Sequence, residues 1–478
     1  MRVCGPGRWL LLAAGLLSGG STRAQTPTSP STPGQAIPGT LGVSPYSGST
    51  PIQPIPGVLP LSLHEAIDRG LKKNLGLLLS DTNVRSAQGQ RWEQLSALLP
   101  HVGVTFFGAT SKINLAELGF SSGGPLALPP SVGPFAYFDA RVAMTQSVFD
   151  WKSITAARAA GQSLHSAELS YRDARDLVVL AVGYVYLEAI SDEARIDTSE
   201  AQLKTAQAVY EQAADRVKAG TSPAIDELRA KVERQTREQQ LIQARNNFAI
   251  QKLTLGRVIG LPPGQDFDLT DKSPYQAFQG LRVDDALARA YRSRSDYAAA
   301  LTDVRAAELS RAAAVAGYYP SLSFNADVGA AGGNFNSATS VFEVRGTLSI
   351  PIFEGNRVHG DVLQADAKLD QSRVRLENLR AQIDAEVRTA LLNLQSSGEQ
   401  VEVARSNVAL AEEALVQSRH RFGAGITDTV EVVQSQEAVA SAHEQFIASL
   451  YGYNFAKISL ARALGAAEAG VAELFRGP

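Results

Sequence analysis

Cysteine is nearly missing from this chain: Cys4 is the only one in 478 residues. It lies ahead of a short apolar segment, so it cannot be the lipid-bearing residue of a lipoprotein signal, which would follow that segment. With no pair to oxidise, stability has to come from packing and assembly rather than from disulfides. Histidine is scarce as well, with six scattered copies. HEAID at 64 and HEQFI at 443 each lack the second histidine of a zinc protease, and neither a GxSxG elbow nor a phosphate loop occurs. No catalytic residues, no metal site and no cofactor are therefore expected, and the chain does not read as an enzyme. Excess positive charge is absent too. A net charge of −3 leaves no basic footprint for nucleic acid. The longest apolar run beyond the N-terminal segment is LVVLAVGYVYL, residues 177–187, closed by Glu188. That is too short to cross a bilayer as a helix and reads as a tightly packed level of a bundle.

The N-terminal segment itself has the three parts of a secretory signal. Arg2 and Arg8 precede an apolar core from Trp9 to Leu17, and small residues follow to Thr22-Arg23-Ala24. Residues 1–24 are expected to be removed and the protein exported. Residues 25–60 are rich in Pro, Ser, Gly and Thr and poor in large apolar side chains, the composition of a disordered or extended linker.

Beyond the linker the chain repeats itself. RVKAGTSPAIDELRAK at 216–231 returns as RFGAGITDTVEVVQSQ at 421–436, so Arg216, Gly220 and Asp226 match Arg421, Gly425 and Glu431 at a constant shift of 205. In each copy a long Ala-rich helical pattern runs in, a glycine breaks it, and a second helix starts with an acid in its first turn. Each is a helical hairpin with a tip. Upstream, helical patterns over 62–99 and 283–319 are stopped by Pro100 and Pro320, which stand 220 apart. The divisions follow: a first repeat at 61–262, an inter-repeat linker at 263–280, a second repeat at 281–465 and a tail at 466–478.

A strand pattern follows each proline. Leu322, Phe324, Ala326, Val328 and Ala330 alternate with polar residues including Asp327, and Phe342, Val344, Leu348 and Ile350 alternate with Glu343 and Arg345. In the first repeat Val102, Val104 and Phe106, then Phe138, Ala140, Val142 and Met144, stand against Tyr137, Asp139 and Arg141. Period two with one apolar and one charged face is the mark of a transmembrane β-strand, although a soluble hairpin with one wet face looks much the same. The return strands lead into very long helices. A continuous helix over 152–219 would span roughly 100 Å at 1.5 Å per residue. In its counterpart Leu369 stands one heptad before Leu376, and from there Leu376, Leu379, Ile383, Val387, Ala390 and Leu394 step by threes and fours, the heptad of a coiled coil with a local stutter. Returning helices run over 224–259 and 428–464, ending at Gly260 and Gly465.

Four strands cannot close on themselves, and an open edge facing lipid strands its backbone groups. Other copies must cover the edges. Two copies would give eight strands with a filled interior, and three would give twelve around water. Asp139, Arg141, Asp327, Glu343 and Arg345 on the inward face suit the wetter choice.

With paired strand hairpins, long helices and the duplicated R-x-x-x-G tips in view, residues 61–465 resemble the outer-membrane efflux proteins, the TolC-like outer-membrane factors. The resemblance implies an α+β membrane protein: a homotrimer whose β-barrel, four strands per chain and twelve in total, continues into a long α-helical coiled-coil barrel in the periplasm. It implies a passive gated conduit from periplasm to exterior for efflux or type I secretion, set in outer-membrane lipid and docked by a periplasmic adaptor and an inner-membrane pump. Glu431 then stands where the family has an acid lining the tip constriction, and Asp226 matches the acid of the first tip. Gly220 and Gly425, with Arg216 and Arg421, fall where the adaptor is expected to pack. Three positions depart from the pattern: Gln434 stands in place of a second acid, Thr427 in place of a basic residue that latches the closed state, and Val217 in place of an aromatic. A rival reading is an exported coiled-coil scaffold or adaptor without a pore, which would be soluble and elongated.

Overall fold

The protein is described by a computed structural model covering residues 44–54, 56–118, 129, 131–271, 275 and 280–468. The expected signal segment, the first part of the linker to residue 43, and the tail from 469 lie outside these residues, as does most of 272–279.

The linker is not structureless over its whole expected length. From residue 44 onward the chain is pinned by backbone hydrogen bonds: the Thr50 N–H donates to the Lys73 carbonyl and the Ile52 N–H to that of Gly260, both at 2.9 Å. Strand β1 (Leu59–Leu61) pairs in parallel with β4 (Phe267–Leu269), which lies inside the expected inter-repeat linker. A poor apolar content is offset here because the repeat itself supplies the polar partners. Tyr46 also finds a seat against Gly76, where an added Cβ would come within 2.4 Å of its ring.

Each expected first helix is two helices. In the first repeat α1 (Leu63–Lys73) and α2 (Leu75–Ser96) are separated by Asn74 in extended conformation, at ψ 133°. In the second, α5 (Val283–Ser293) and α6 (Ser295–Val315) are separated by Arg294 at ψ 120°. The two breaks stand 220 residues apart, like the prolines. Neither Gly nor Pro makes them. Asn74 is fully buried, accepts from the Gly76 N–H at 3.0 Å and donates to the Tyr46 carbonyl at 2.7 Å. Arg294 is also buried, and its guanidinium grips Asp296 and, at 2.6 Å, Glu386. Tertiary partners hold both residues in a conformation that local propensity does not ask for.

Strands β2 (His101–Asn114), β3 (Ser131–Asp150), β5 (Ser321–Gly332) and β6 (Thr339–Ser349) form one antiparallel sheet in the order β2-β3-β5-β6. Register lines up Val102, Met144, Ala326 and Val344 on one face, and Gly103, Ala143, Asp327 and Glu343 on the neighbouring line of the other. The apolar face is bare: Phe106 is 76% and Phe342 79% exposed. No described helix is long and apolar enough to cross a membrane.

The sheet runs into the helices strand by strand. β3 continues into α3 (Trp151–Lys218, 68 residues), and β6 leads to α7 (Arg357–Gly423, 67 residues). α4 (Ala224–Ile259) and α8 (Thr429–Ala463) return from the tips and stop at Gly260 and Gly465, both left-handed. Packing orders the helices α2-α3-α6-α7 beneath the strands and α4-α3-α8-α7 toward the tips. One margin of the chain is thus β2, α2 and α4, and the other is β6 and α7, at every height.

Burial is deepest where these layers meet. Val178, Val179, Val182 and Val185 of the long apolar run are fully buried, as are Ile383, Val387 and Val401 of the heptad seam. Lys457 is 4% exposed in the same region, over the Tyr453 ring at 4.7 Å, and burial pulls its amine down to about 8. A depressed lysine value means that the fold disfavours the charged form. The penalty is complete below pH 8, where the unfolded chain is charged too, and fades as pH rises toward the free-lysine value near ~10.4. Lys457→Met, which keeps the stem and drops the charge, is therefore expected to stabilise the fold by roughly 1–3 kcal/mol at pH 7 and to gain little at pH 10.5. Denaturant midpoints at the two pH values test this, and an equal gain at both would remove the buried charge as its cause.

Candidate functional site

The R-x-x-x-G spacing of the tips is a helix stop. In the first hairpin the Thr221 N–H donates to the Arg216 carbonyl at 2.9 Å and the Gly220 N–H to that of Val217 at 3.0 Å. In the second, Ile426 donates to Arg421 and Gly425 to Phe422, both at 3.0 Å. This is the Schellman pattern, which needs a left-handed residue just past the helix. Gly220 has φ 72° and Gly425 φ 74°. The glycines are thus fixed by the turn itself.

The acids sit in the first turns of α4 and α8, where the helix N-terminus favours negative charge. Their surroundings differ. Asp226 is 4% exposed, accepts from the Ser222 hydroxyl at 2.7 Å and lies 3.8 Å from Arg229. Glu431 is about a third exposed at its side chain, accepts from the Thr427 hydroxyl at 2.5 Å and lies 3.6 Å from Arg421. Gln434, one turn on, is exposed. Thr427 therefore contacts Glu431 of its own hairpin, and Gln434 does not join them.

The two tip arginines, equivalent by repeat, do unequal things. Arg421 serves its own hairpin through Glu431. Arg216 reaches across to the other: its Nη2 donates to the Gly423 carbonyl at 2.6 Å, and its guanidinium lies 4.4 Å from the Phe422 ring centroid. Phe422 is 1% exposed in an apolar knot with Val209, Ala213, Ala230 and Val432. Gly423 closes α7, so Arg216 meets both a free terminal carbonyl and the negative end of the helix. One chain's two hairpins are tied at the tip.

Above the tip a cleft of about 590 Å³ lies between α3, α4 and α8 and is lined by polar side chains, among them Gln202, Gln240 and Glu444. Arg237 and Glu233 form a buried ion pair there at 2.6 Å. Gln436 is buried nearby with neither side-chain atom bonded. Sequence reading missed all three. Glu233 and Arg237 carry the four-residue spacing of a helical pair, but nothing in the sequence places that pair inward.

In the sheet, the sequence-predicted charges gather on the face opposite the bare apolar one. Arg141 bridges Asp139, at 2.8 Å, and Asp327 of the neighbouring strand, at 3.1 Å. Arg345 pairs with Glu343, which stands directly opposite Asp327. Among the described residues no cluster of histidine, cysteine or acids is grouped to hold a metal.

A sheet with one bare apolar face and one charged face, carried on long helical hairpins, is the arrangement of a membrane channel subunit. The family model for the outer membrane efflux protein matches residues 66–261 and 286–466, and the chain belongs to that family. It is similar to the probable efflux pump outer membrane protein SepC of Pseudomonas putida, 24% identical over 416 residues, covering 84% of this chain and 83% of that one. It is also similar to the cation efflux system protein CusC of Escherichia coli K12, 24% identical over 315 residues, 64% of this chain and 67% of that one. Its fold matches the outer membrane protein VceC of Vibrio cholerae with a TM-score of 0.72 at 20% identity, covering 84% of this chain and 96% of VceC. The protein is thus an outer-membrane channel component of an efflux system, with its helices in the periplasm, and the pore-less scaffold reading falls away.

Arg216→Ala is expected to broaden the distance between spin labels placed on the two tip loops of one chain, at Thr221 and Ile426. Arg421→Ala, which touches only its own hairpin, is expected to leave that distance alone. Equal broadening in both variants would deny Arg216 its tying role.

Proposed function

We propose that three copies of this chain form one passive conduit across the outer membrane, opened at the hairpin tips by a periplasmic adaptor and powered by an inner-membrane pump. The observation that carries this reading is the order of the elements. Strands and helices are laid side by side in matching lateral order, with β2 free at one margin and β6 at the other. Strands alternate in direction across the sheet, so β6 of one copy meets β2 of the next antiparallel, and the ring closes with any whole number of copies. Three give a twelve-stranded barrel wide enough to hold water. The inward face then carries Asp139, Arg141, Asp327, Glu343 and Arg345, and the bare apolar face meets lipid. The two repeats, 61–262 and 281–465, supply alternate staves of the wall.

The conduit does no chemistry. Its gate is the ring of tips, where three Glu431 carboxylates, more open to water than Asp226, raise the local concentration of cations and slow anions. Gln434 in place of a second acid makes that ring less negative, and Thr427 holds each Glu431 within its own hairpin. The exposed turns around Gly220 and Gly425 are where the adaptor packs.

Membrane fractionation followed by native mass measurement in detergent is expected to find the protein in the outer membrane at three chains per particle; a soluble monomer would overturn the reading. In planar bilayers Glu431→Ala is expected to lower the cation preference by a measurable shift in reversal potential, whereas Asp226→Ala leaves it unchanged because that carboxylate is buried. Unaltered selectivity in Glu431→Ala takes the acid out of the gate.

A further inference from the structure

The two hairpins of one chain are not sealed against each other in the same way at every height. Near the tip they meet through the buried apolar knot around Phe422, Val209 and Val432. Far above it Gly183 of α3 makes room for Ile458 of α8, where an added Cβ would come within 2.9 Å of that side chain. Between these levels polar side chains go in as deep: Glu233, Arg237 and Gln436 are 7%, 4% and 5% exposed.

Two clefts reach this polar layer. The cleft of about 590 Å³ described above lies between α3, α4 and α8, and a second of about 410 Å³ lies between α3, α7 and α8. On α8 the second is lined by Gln436, Val439 and His443, each one residue before Glu437, Ala440 and Glu444 of the first. One residue is about 100° around a helix. On α3 the lining shifts the same way, with Asp197 and Ala201 of the second cleft one residue before Thr198 and Gln202. α3 descends to the tip and α8 returns from it, so equal steps in sequence turn the two linings in opposite senses in space. The clefts therefore open on opposite faces of the contact between α3 and α8. They share Thr198, Gln202 and Arg237, so only side chains separate them.

We propose that this layer is a side port through the wall of the conduit, within a single chain, which passes water and small cations between lumen and periplasm while the tips are closed. It rests on the conduit reading above and adds a second route into the tube. Arg237 is the plug. Its guanidinium donates to Glu233 at 2.6 Å and to Gln240 at 2.9 Å. Those bonds stay within α4, so the plug can turn without parting the hairpins. Gln436 lines the second cleft with neither amide atom bonded to the protein, and water is the usual partner of such a group. Acids outnumber arginines along the path: Glu437 and Glu444 at one mouth, Asp197 and Glu412 at the other and Glu233 inside stand against Arg195 and Arg237. Such a lining favours cations over anions.

Resting current in planar bilayers under potassium chloride tests the port, with native mass reporting the trimer. In a Cys4→Ser background, Gln240→Cys on the first cleft and Asp197→Cys on the second are each labelled with a positively charged methanethiosulfonate. Both labels are expected to lower the resting cation current, whichever face is the lumen, whereas a sealed wall answers only to the label inside it. The double variant Glu233→Ala with Arg237→Ala is expected to raise that current several-fold, and Gln436→Leu to lower it. A trimer with no resting current, one whose current answers to fewer than both labels, or one unchanged by the double variant overturns the port while leaving the conduit. A monomer by native mass sinks both.

Discussion

Everything in this architecture answers to the backbone groups along β2 and β6. Inside hydrocarbon each unpaired N–H or carbonyl costs several kcal/mol, and water is not there to relieve them. The sheet cannot relieve them alone, since its order leaves both outer strands with one open side. The helices obey the same lateral order as the strands they continue, so a contact that satisfies the strands brings the helical margins together as well. One requirement at the level of the membrane therefore dictates geometry about 100 Å away, by way of helices that rise 1.5 Å per residue.

Without disulfides the long wall is held by two kinds of contact. Apolar seams such as Ile383, Val387 and Val401 remove area from water along the whole length. Ionic ties act at chosen heights: Arg294 to Glu386 between α5 and α7, Arg462 to Asp173 between α8 and α3, and Arg195 to Glu444 between α3 and α8. Charge pairs of this sort, from nearly buried to half exposed, contribute little net stability, because desolvation or solvent screening offsets much of the attraction. Their use is in register. A 68-residue helix against its partners has many near-equivalent slips by one heptad, and a tie at a fixed height makes each slip leave a charge unpaired.

How far the sequence discloses this depends on whether a feature is local. Pro100 and Pro320 mark helix ends by their own covalent geometry, and Gly220 and Gly425 mark the tips because only a left-handed residue completes the turn. The strand faces are legible for the same reason, since alternation is a property of neighbours in the chain. The breaks at Asn74 and Arg294 are not legible: both residues are held in extended backbone conformation by Tyr46 and Glu386, which stand 28 and 92 positions away. Residues 44–60 escape for a related reason, because their composition describes the segment and not the carbonyls that receive it. At the tip, spacing finds Arg216, Asp226, Arg421 and Glu431 without saying that Asp226 is buried and Glu431 is not.

Arg216 hooks the neighbouring hairpin while Arg421 turns back on its own. Two halves that began as equivalents have taken up a division of labour, and neither can stand in for the other. Equivalent positions in the repeat thus no longer carry equivalent contacts. At the tip of one chain the two hairpins therefore show unlike sides, one clasping the end of its neighbour's helix and the other closed on its own acid.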